Sequence, residues 1–235
     1  MQTTSIGRIC RMYGAVTVVA VLTLAPSDSV SAATFHGASS DGHEVSGTVD
    51  FTASGDVLTI KLANTTPTTS NVTDLLTGVD FKLSGLTPTL DSITGISRTI
   101  NVDGSFTDGD AAHDLSWSLK SLGSGIWELD SHPDARDAIV GPASAGSYEE
   151  AGRSVRGNPG HNPFAAETII AQLNVPGLQS AALPAVVVTG FGFSGSSSAN
   201  STITPGGGLE APEPTASFAM CFMFTLAWLS LRHRR

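Results

Sequence analysis

Between Arg11 and Met220 the chain contains no cysteine; its two, Cys10 and Cys221, lie close to the ends. A disulfide, a thiolate metal site and a cysteine nucleophile are thereby excluded from everything in between. An oxidising compartment is permitted but not used for stapling, so stability has to come from a packed core. Charge is also scarce, at 14% of residues, and aromatics make up only 6%. That mixture is too apolar for a disordered chain and too poor in Lys, Glu, Arg and Leu for a helical one. Positive charge is scarcest of all. Only seven Lys or Arg fall within residues 33–211, against nineteen Asp or Glu, which leaves that region at −12. Such a body repels phosphate backbones and anionic headgroups, and nucleic acid is excluded as a partner. The six histidines are scattered, with no helical i, i+4 pair to hold zinc.

Both ends carry what the middle lacks. At the N-terminus Arg8 and Arg11 precede the apolar run from Ala15 to Ala25, and Pro26 breaks any helix there. Val30-Ser31-Ala32 then sets small residues at the positions a signal peptidase reads, so cleavage is expected between Ala32 and Ala33. The apolar run is short for a membrane anchor. At the C-terminus Pro212-Glu213-Pro214 leads into the apolar run Phe218–Leu231, closed by Arg232, His233, Arg234 and Arg235. A transmembrane helix is expected over about residues 215–231; its apolar part from Ser217 to Leu231 would rise some 22 Å, enough to cross a locally thinned bilayer. Arg232, Arg234 and Arg235 form a cytoplasmic basic stop, which places the acidic body on the far side.

This order of tripeptide, apolar span and basic end resembles the PEP-CTERM sorting signal of Gram-negative, biofilm-forming bacteria. It covers about the last 24 residues. The resemblance implies export across the inner membrane and transient anchoring by the transmembrane helix. An exosortase then cuts near the tripeptide, and the product moves to the cell surface or extracellular matrix.

The middle alternates with period two. Val45, Val49 and Phe51 share one face; after the turn signal Ser54-Gly55-Asp56, Leu58, Ile60 and Leu62 alternate with Thr59 and Lys61. These two runs predict a β-hairpin. Val79, Phe81 and Leu83 continue the pattern, followed by Ile100 with Val102, by Leu115, Trp117 and Leu119, and by Trp127 with Leu129. Residues 131–163 are broken by Pro133, Pro142, Pro159 and Pro163, with Ala138-Ile139-Val140 as a short buried strand and Tyr148–Ser154 as a helical turn. Ile169, Ala171, Leu173 and Val175, then Val186 to Phe193, restore regularity.

The fold expected is all-β: an antiparallel, jelly-roll-like β-sandwich between the N-terminal signal helix and the C-terminal transmembrane helix. The divisions are a signal peptide (1–32), a sandwich domain (33–195), a flexible Ser/Gly/Asn/Thr-rich linker (196–210) and the sorting signal (211–235). The stretches Val57–Thr65, Leu75–Gly85, Gly157–Phe164, Ile169–Val175 and Val186–Phe193 resemble segments of PEP-CTERM surface proteins without an assigned activity.

Candidate sites are few. Asp103, Asp108, Asp110 and Asp114, with His113, crowd one stretch, and oxygen ligands at alternating positions suit Ca²⁺. The same residues build ordinary solvated turns, and the spacing is not that of an EF-hand. His161-Asn162-Pro163-Phe164 reads as structure: proline fixing a turn, Phe164 in the core, His161 or Asn162 capping loop backbone. Trp117 and Trp127 would suit a sugar platform, but their alternation with Leu115, Leu119 and Leu129 points to the core. Ser194 lacks the second glycine of a nucleophile elbow, because Ser196 occupies that place. Asn64, Asn71 and Asn200 head glycosylation sequons. No catalytic set emerges. The leading expectation is therefore a surface or matrix component with a structural or interaction role. Alternatives are a carbohydrate-binding module for exopolysaccharide and, behind it, a secreted hydrolase with paired carboxylates.

Overall fold

The computed structural model describes residues 30–111, 115–131, 136–178, 186–193 and 202–203. Its strands are β1 (Val30–Ala38), β2 (Glu44–Ser54), β3 (Val57–Asn64), β4 (Leu76–Leu83), β5 (Thr89–Ile100), β6 (Phe106–Ala111), β7 (Trp117–Gly123), β8 (Ile126–Ser131), β9 (Ile139–Val140), β10 (Phe164–Asn174), β11 (Val186–Phe193) and β12 (Thr202–Ile203). Strands take up 59% of the described residues, which hold no α-helix and only short 3-10 pieces, at Val72–Asp74 and at Leu178. The chain is all-β over these residues. The expected terminal helices and their functional residues (Pro212, Glu213, Pro214, Arg232, Arg234, Arg235) lie outside the described residues, as does Asp114.

Two antiparallel runs carry the hydrogen bonding. One runs β1-β2-β3-β10-β5-β6 and the other β7-β8-β4-β11-β12. Strand β9 joins them, pairing antiparallel with β4 at Leu76↔Ile139 and parallel with β10 at Ala165↔Ile139. The sheet is therefore mixed, which corrects the expectation of purely antiparallel pairing. The correction has a local cause. β9 leads into β10 through the long irregular connection of residues 141–163, so no tight turn sets their relative direction.

The predicted hairpin forms as β2 and β3, with Ser54↔Val57 closing a two-residue loop. Gly55 at φ +60° supplies the left-handed backbone such a loop requires. Alternation assigns the faces: Val49, Phe51, Leu58, Ile60 and Leu62 are fully buried, while Lys61 faces water. β1 continues the sheet, burying Ala33 and Phe35 against the same core.

Aromatic contacts link strands that share no hydrogen bonds. Phe35 of β1 stacks on Phe191 of β11 at 5.4 Å, and Phe51 of β2 lies 5.6 Å from Phe81 of β4. The main core draws side chains from both runs, and each fully buried Leu, Ile or Phe stabilises it by about 1.5–3 kcal/mol. A second, smaller cluster gathers Leu75, Ile100, Ala138, Val140, Tyr148, Val155 and Phe164 beneath the irregular loop.

One further correction concerns a loop. Tyr148–Ser154 forms turns and not the expected helical turn: Ala151 N bonds Tyr148 O (2.9 Å), but Gly152 N, the amide that would close the i to i−4 bond onto Tyr148 O, bonds Ser70 O (2.6 Å) instead. Within the expected linker, Thr202–Ile203 forms β12 on the edge of β11, through Phe191↔Ile203 and Gly192↔Thr202.

Candidate functional site: a trough over an arginine clamp

Asp103, Asp108 and Asp110 do not converge. Asp103 sits in the β5–β6 turn, whereas Asp108 and Asp110 stand on β6 itself, which corrects their reading as one turn-rich stretch. Asp103 accepts from Ser105 Oγ (2.7 Å) and Ser105 N (3.0 Å), and these bonds hold its carboxyl below the usual carboxylate range. Asp108 is bound to Arg98. Among the described residues no three His, Cys, Asp or Glu side chains gather as a metal would require.

Arg98 is the organising residue. It is 6% exposed and shares the buried face of β5 with Ile100, two residues on. Its fork is bidentate to Asp108 (Nε–Oδ1 2.6 Å, Nη2–Oδ2 2.8 Å), and Nη1 donates to Tyr148 Oη and Glu167 Oε1, both at 3.0 Å. The guanidinium also lies 4.2 Å from the centre of the Phe106 ring. One cation thus ties β5, β6, β10 and the loop together. Bidentate geometry and two carboxylates are what make a buried cation tolerable. The Asp108 contact drives the Arg98 pKa further up and that of Asp108 down. Burial raises the Tyr148 phenol, whose hydroxyl donates to Gly141 O at 2.7 Å. Glu167 reaches Arg98 from a left-handed backbone (φ +59°) inside a β10 bulge. Such strain is held by its surroundings, and the Arg98 bond is one holder.

Above this clamp the β5–β6 turn docks on the Ser144–Ala151 loop. Gly104, at φ +87°, makes the docking possible: a Cβ there would stand 2.5 Å from Glu149 N. Two adjoining depressions result. The first, about 370 Å³, is lined by Asp103, Ser105, Phe106, Gly146, Ser147 and Glu149. The second, about 120 Å³, shares Ser147 and Glu149 and adds Thr68, Thr69, Ser144 and Glu150. Hydroxyls and carboxylates line both, with Phe106 as the apolar surface of the first and Ala145, Tyr148 and Ala151 adding apolar surface to the second, and no Lys, Arg or His is among the lining residues.

A second group of acids lies on the other run. Asp80 of β4 stands directly opposite Glu128 of β8, which stands opposite Lys120 of β7. Asp130, two residues along β8, accepts from Ser118 Oγ (2.7 Å) and Lys120 Nζ (2.5 Å). Burial, then Glu128 and Asp130, push the Asp80 pKa up to about 6. Paired acids are the raw material of glycosidic cleavage. This pair occupies a sheet face, away from the trough.

The remaining positions are structural. Asn162 bonds both N and O of Ile100 (2.8 and 3.1 Å), and Phe164 is fully buried, as its sequence context predicts. Trp117 is buried and donates to Asp137 O, while Trp127 packs half-buried on the core. Asn64 is 2% exposed, with its amide on Asp74 O and Ile139 O. Asn71 caps the 3-10 turn, so both sequon asparagines within the described residues are engaged in the fold. His43 Nδ1 lies 3.3 Å from the buried Asp74, but Ser39 Oγ serves the His43 backbone amide, not its ring. Sequence reasoning missed Arg98, Tyr148 and Glu149. Only Arg98 left a trace, by sharing the parity of Ile100. The trough and the clamp must speak for themselves, since no family model, no curated protein and no solved structure matches this chain.

Proposed function

We propose that the chain is an exported, exosortase-processed component of the cell surface or extracellular matrix in a Gram-negative bacterium, with a structural or interaction role. In this reading the two antiparallel runs are the layers of a jelly-roll-like sandwich. The cross-run packing of Phe35 on Phe191 and Phe51 on Phe81 supports that arrangement. Signal peptidase cuts between Ala32 and Ala33, and exosortase acts near Pro212-Glu213-Pro214. The hydrophobic tail then leaves the acidic body outside the inner membrane.

The observation that carries the proposal is where the leader meets the fold. Ala33, the first residue after the expected cut, is 7% exposed, and Phe35 follows at 3%. Cleavage there keeps both core side chains and removes only the β1 ladder positions Val30, Ser31 and Ala32. A thiol-free core stabilised by packing alone also suits an exterior destination.

Cell fractionation with and without the exosortase tests the reading. The expected result is a shortened exterior form beginning at Ala33 when the exosortase is present, and a membrane-held form carrying the tail when it is absent. Full-length, uncut chain in the cytosol would overturn it.

A further inference from the structure

We propose that the trough between the β5–β6 turn and the Ser144–Ala151 loop is a binding site for a neutral oligosaccharide. The inference rests on the surface-matrix reading only for where such a glycan would be met; the site itself rests on geometry.

The lining chemistry selects the ligand class. Asp103, Glu149 and Glu150 offer carboxylates, which accept hydrogen bonds from sugar hydroxyls. Ser147 and Thr69 carry hydroxyls that can donate as well as accept, while Ser105 Oγ, which donates to Asp103 (2.7 Å) and accepts from Asn101 Nδ2 (2.9 Å), keeps one lone pair to accept. Phe106 adds an apolar ring for the C–H face of a sugar, and its position is fixed by Arg98 at 4.2 Å and by an edge contact with Tyr148 at 5.6 Å. No cation lines the site, although Arg156 exerts a weaker pull on Asp103 from outside it. Uronates, sulfated glycans and phosphates would therefore meet three carboxylates without a partner. A neutral polyol meets no such repulsion.

The walls are set before a ligand arrives. Tyr148 N bonds Gly104 O at 2.9 Å, Ser147 N bonds Ser144 O at 3.0 Å, and Asp103 is oriented by Ser105. Preformed walls reduce the ordering cost of binding. Depressions of about 370 and 120 Å³ sharing Ser147 and Glu149 offer room on the scale of one or two pyranose rings.

The test applies the full chain, purified in mild detergent, to an array of neutral gluco-, manno-, galacto- and N-acetylglucosamine oligomers alongside uronate and sulfated oligomers. Calorimetry then follows the best neutral oligomer. Binding is expected on the neutral half only, at least tenfold weaker in E149A/E150A, lost in Ser147→Trp and unchanged in Asp91→Ala, a change on β5 outside the trough. Both glutamates are exposed, so their removal leaves the core intact. Absence of neutral binding, preference for anionic oligomers, or equal affinity in E149A/E150A overturns the proposal. So does a melting-temperature rise in millimolar Ca²⁺ that E149A/E150A abolishes while neutral oligomers fail to bind, since the site would then serve a cation. The array reads the site on purified protein and fractionation reads export, so either proposal can fail alone.

Discussion

Asp80 and Glu128 face each other across adjacent antiparallel strands, and Asp130 lies one pair further along the same face. Burial disfavours the charged form of Asp80 first of all, and like charges directly opposite on the sheet add to the cost. The Asp80 carboxyl responds by holding its proton up to about pH 6, against 3.8 when unperturbed. The sign follows from linkage: a raised acid pKa means the folded state binds the proton more tightly than the unfolded one. Folding is therefore unpenalised below about pH 4, loses stability as pH rises from 4 to 6, and carries the whole penalty above that. A displacement of about two units corresponds to roughly 3 kcal/mol, and because Asp80 is only partly buried, solvent screening reduces this to about 1–1.5 kcal/mol. Asp80→Asn removes the charge at nearly constant shape. At pH 8 the variant should melt about 2–6 °C above the parent, whereas at pH 4 the two should coincide. Thermal unfolding of both chains across that range measures the difference. A gain of equal size at both pH values, or a loss at pH 8, would refute the argument, because neither follows from removal of a disfavoured charge.

The other expectations concern the clamp and the loop it supports. Arg98→Ala should destabilise by about 2–4 kcal/mol in denaturant unfolding; the value stays below the extreme because Asp108 and Glu167 are partly exposed and can rehydrate. Arg98→Lys should recover less than half of that, since an ammonium cannot make the bidentate contact with Asp108. Phe164→Ala, in the smaller cluster, should cost about 3–5 kcal/mol by the same measurement, and a loss below 1 kcal/mol would argue against its full burial. Gly104→Ala combines a left-handed backbone with a Cβ 2.5 Å from Glu149 N, so it should expose the Ser144–Ala151 loop to proteolysis while leaving β2 and β3 protected in hydrogen exchange.

Much of the strand pattern was legible residue by residue. Where a strand has one wet face and one dry face, alternation names both, and β2, β3, β4, β10 and β11 follow their apolar parity through Val49, Ile60, Phe81, Ile169 and Phe191. The absence of interior cysteine likewise determined, without any structure, that packing must stabilise the body. Asn162 and Phe164 were readable because amide capping and a buried ring are local roles.

Tertiary structure alone decided the rest. Thr-Asp-Gly-Asp in β6 has the composition of a turn; it is a strand because β5 offers it a ladder and Arg98 neutralises Asp108. Strand β9 runs parallel to β10 because a long connection leads from one to the other, and no period within Ile139–Val140 encodes that direction. Within Tyr148–Ser154 the Gly152 amide bonds Ser70 O, a partner 82 residues away in sequence, in place of the helical bond to Tyr148 O. The trough belongs to the same class, since Asp103, Thr69 and Glu149 become neighbours only when three distant segments dock. Side-chain chemistry and periodicity are local properties of a sequence; hydrogen-bond partners, burial of a charge and the walls of a cavity are settled by which segments meet.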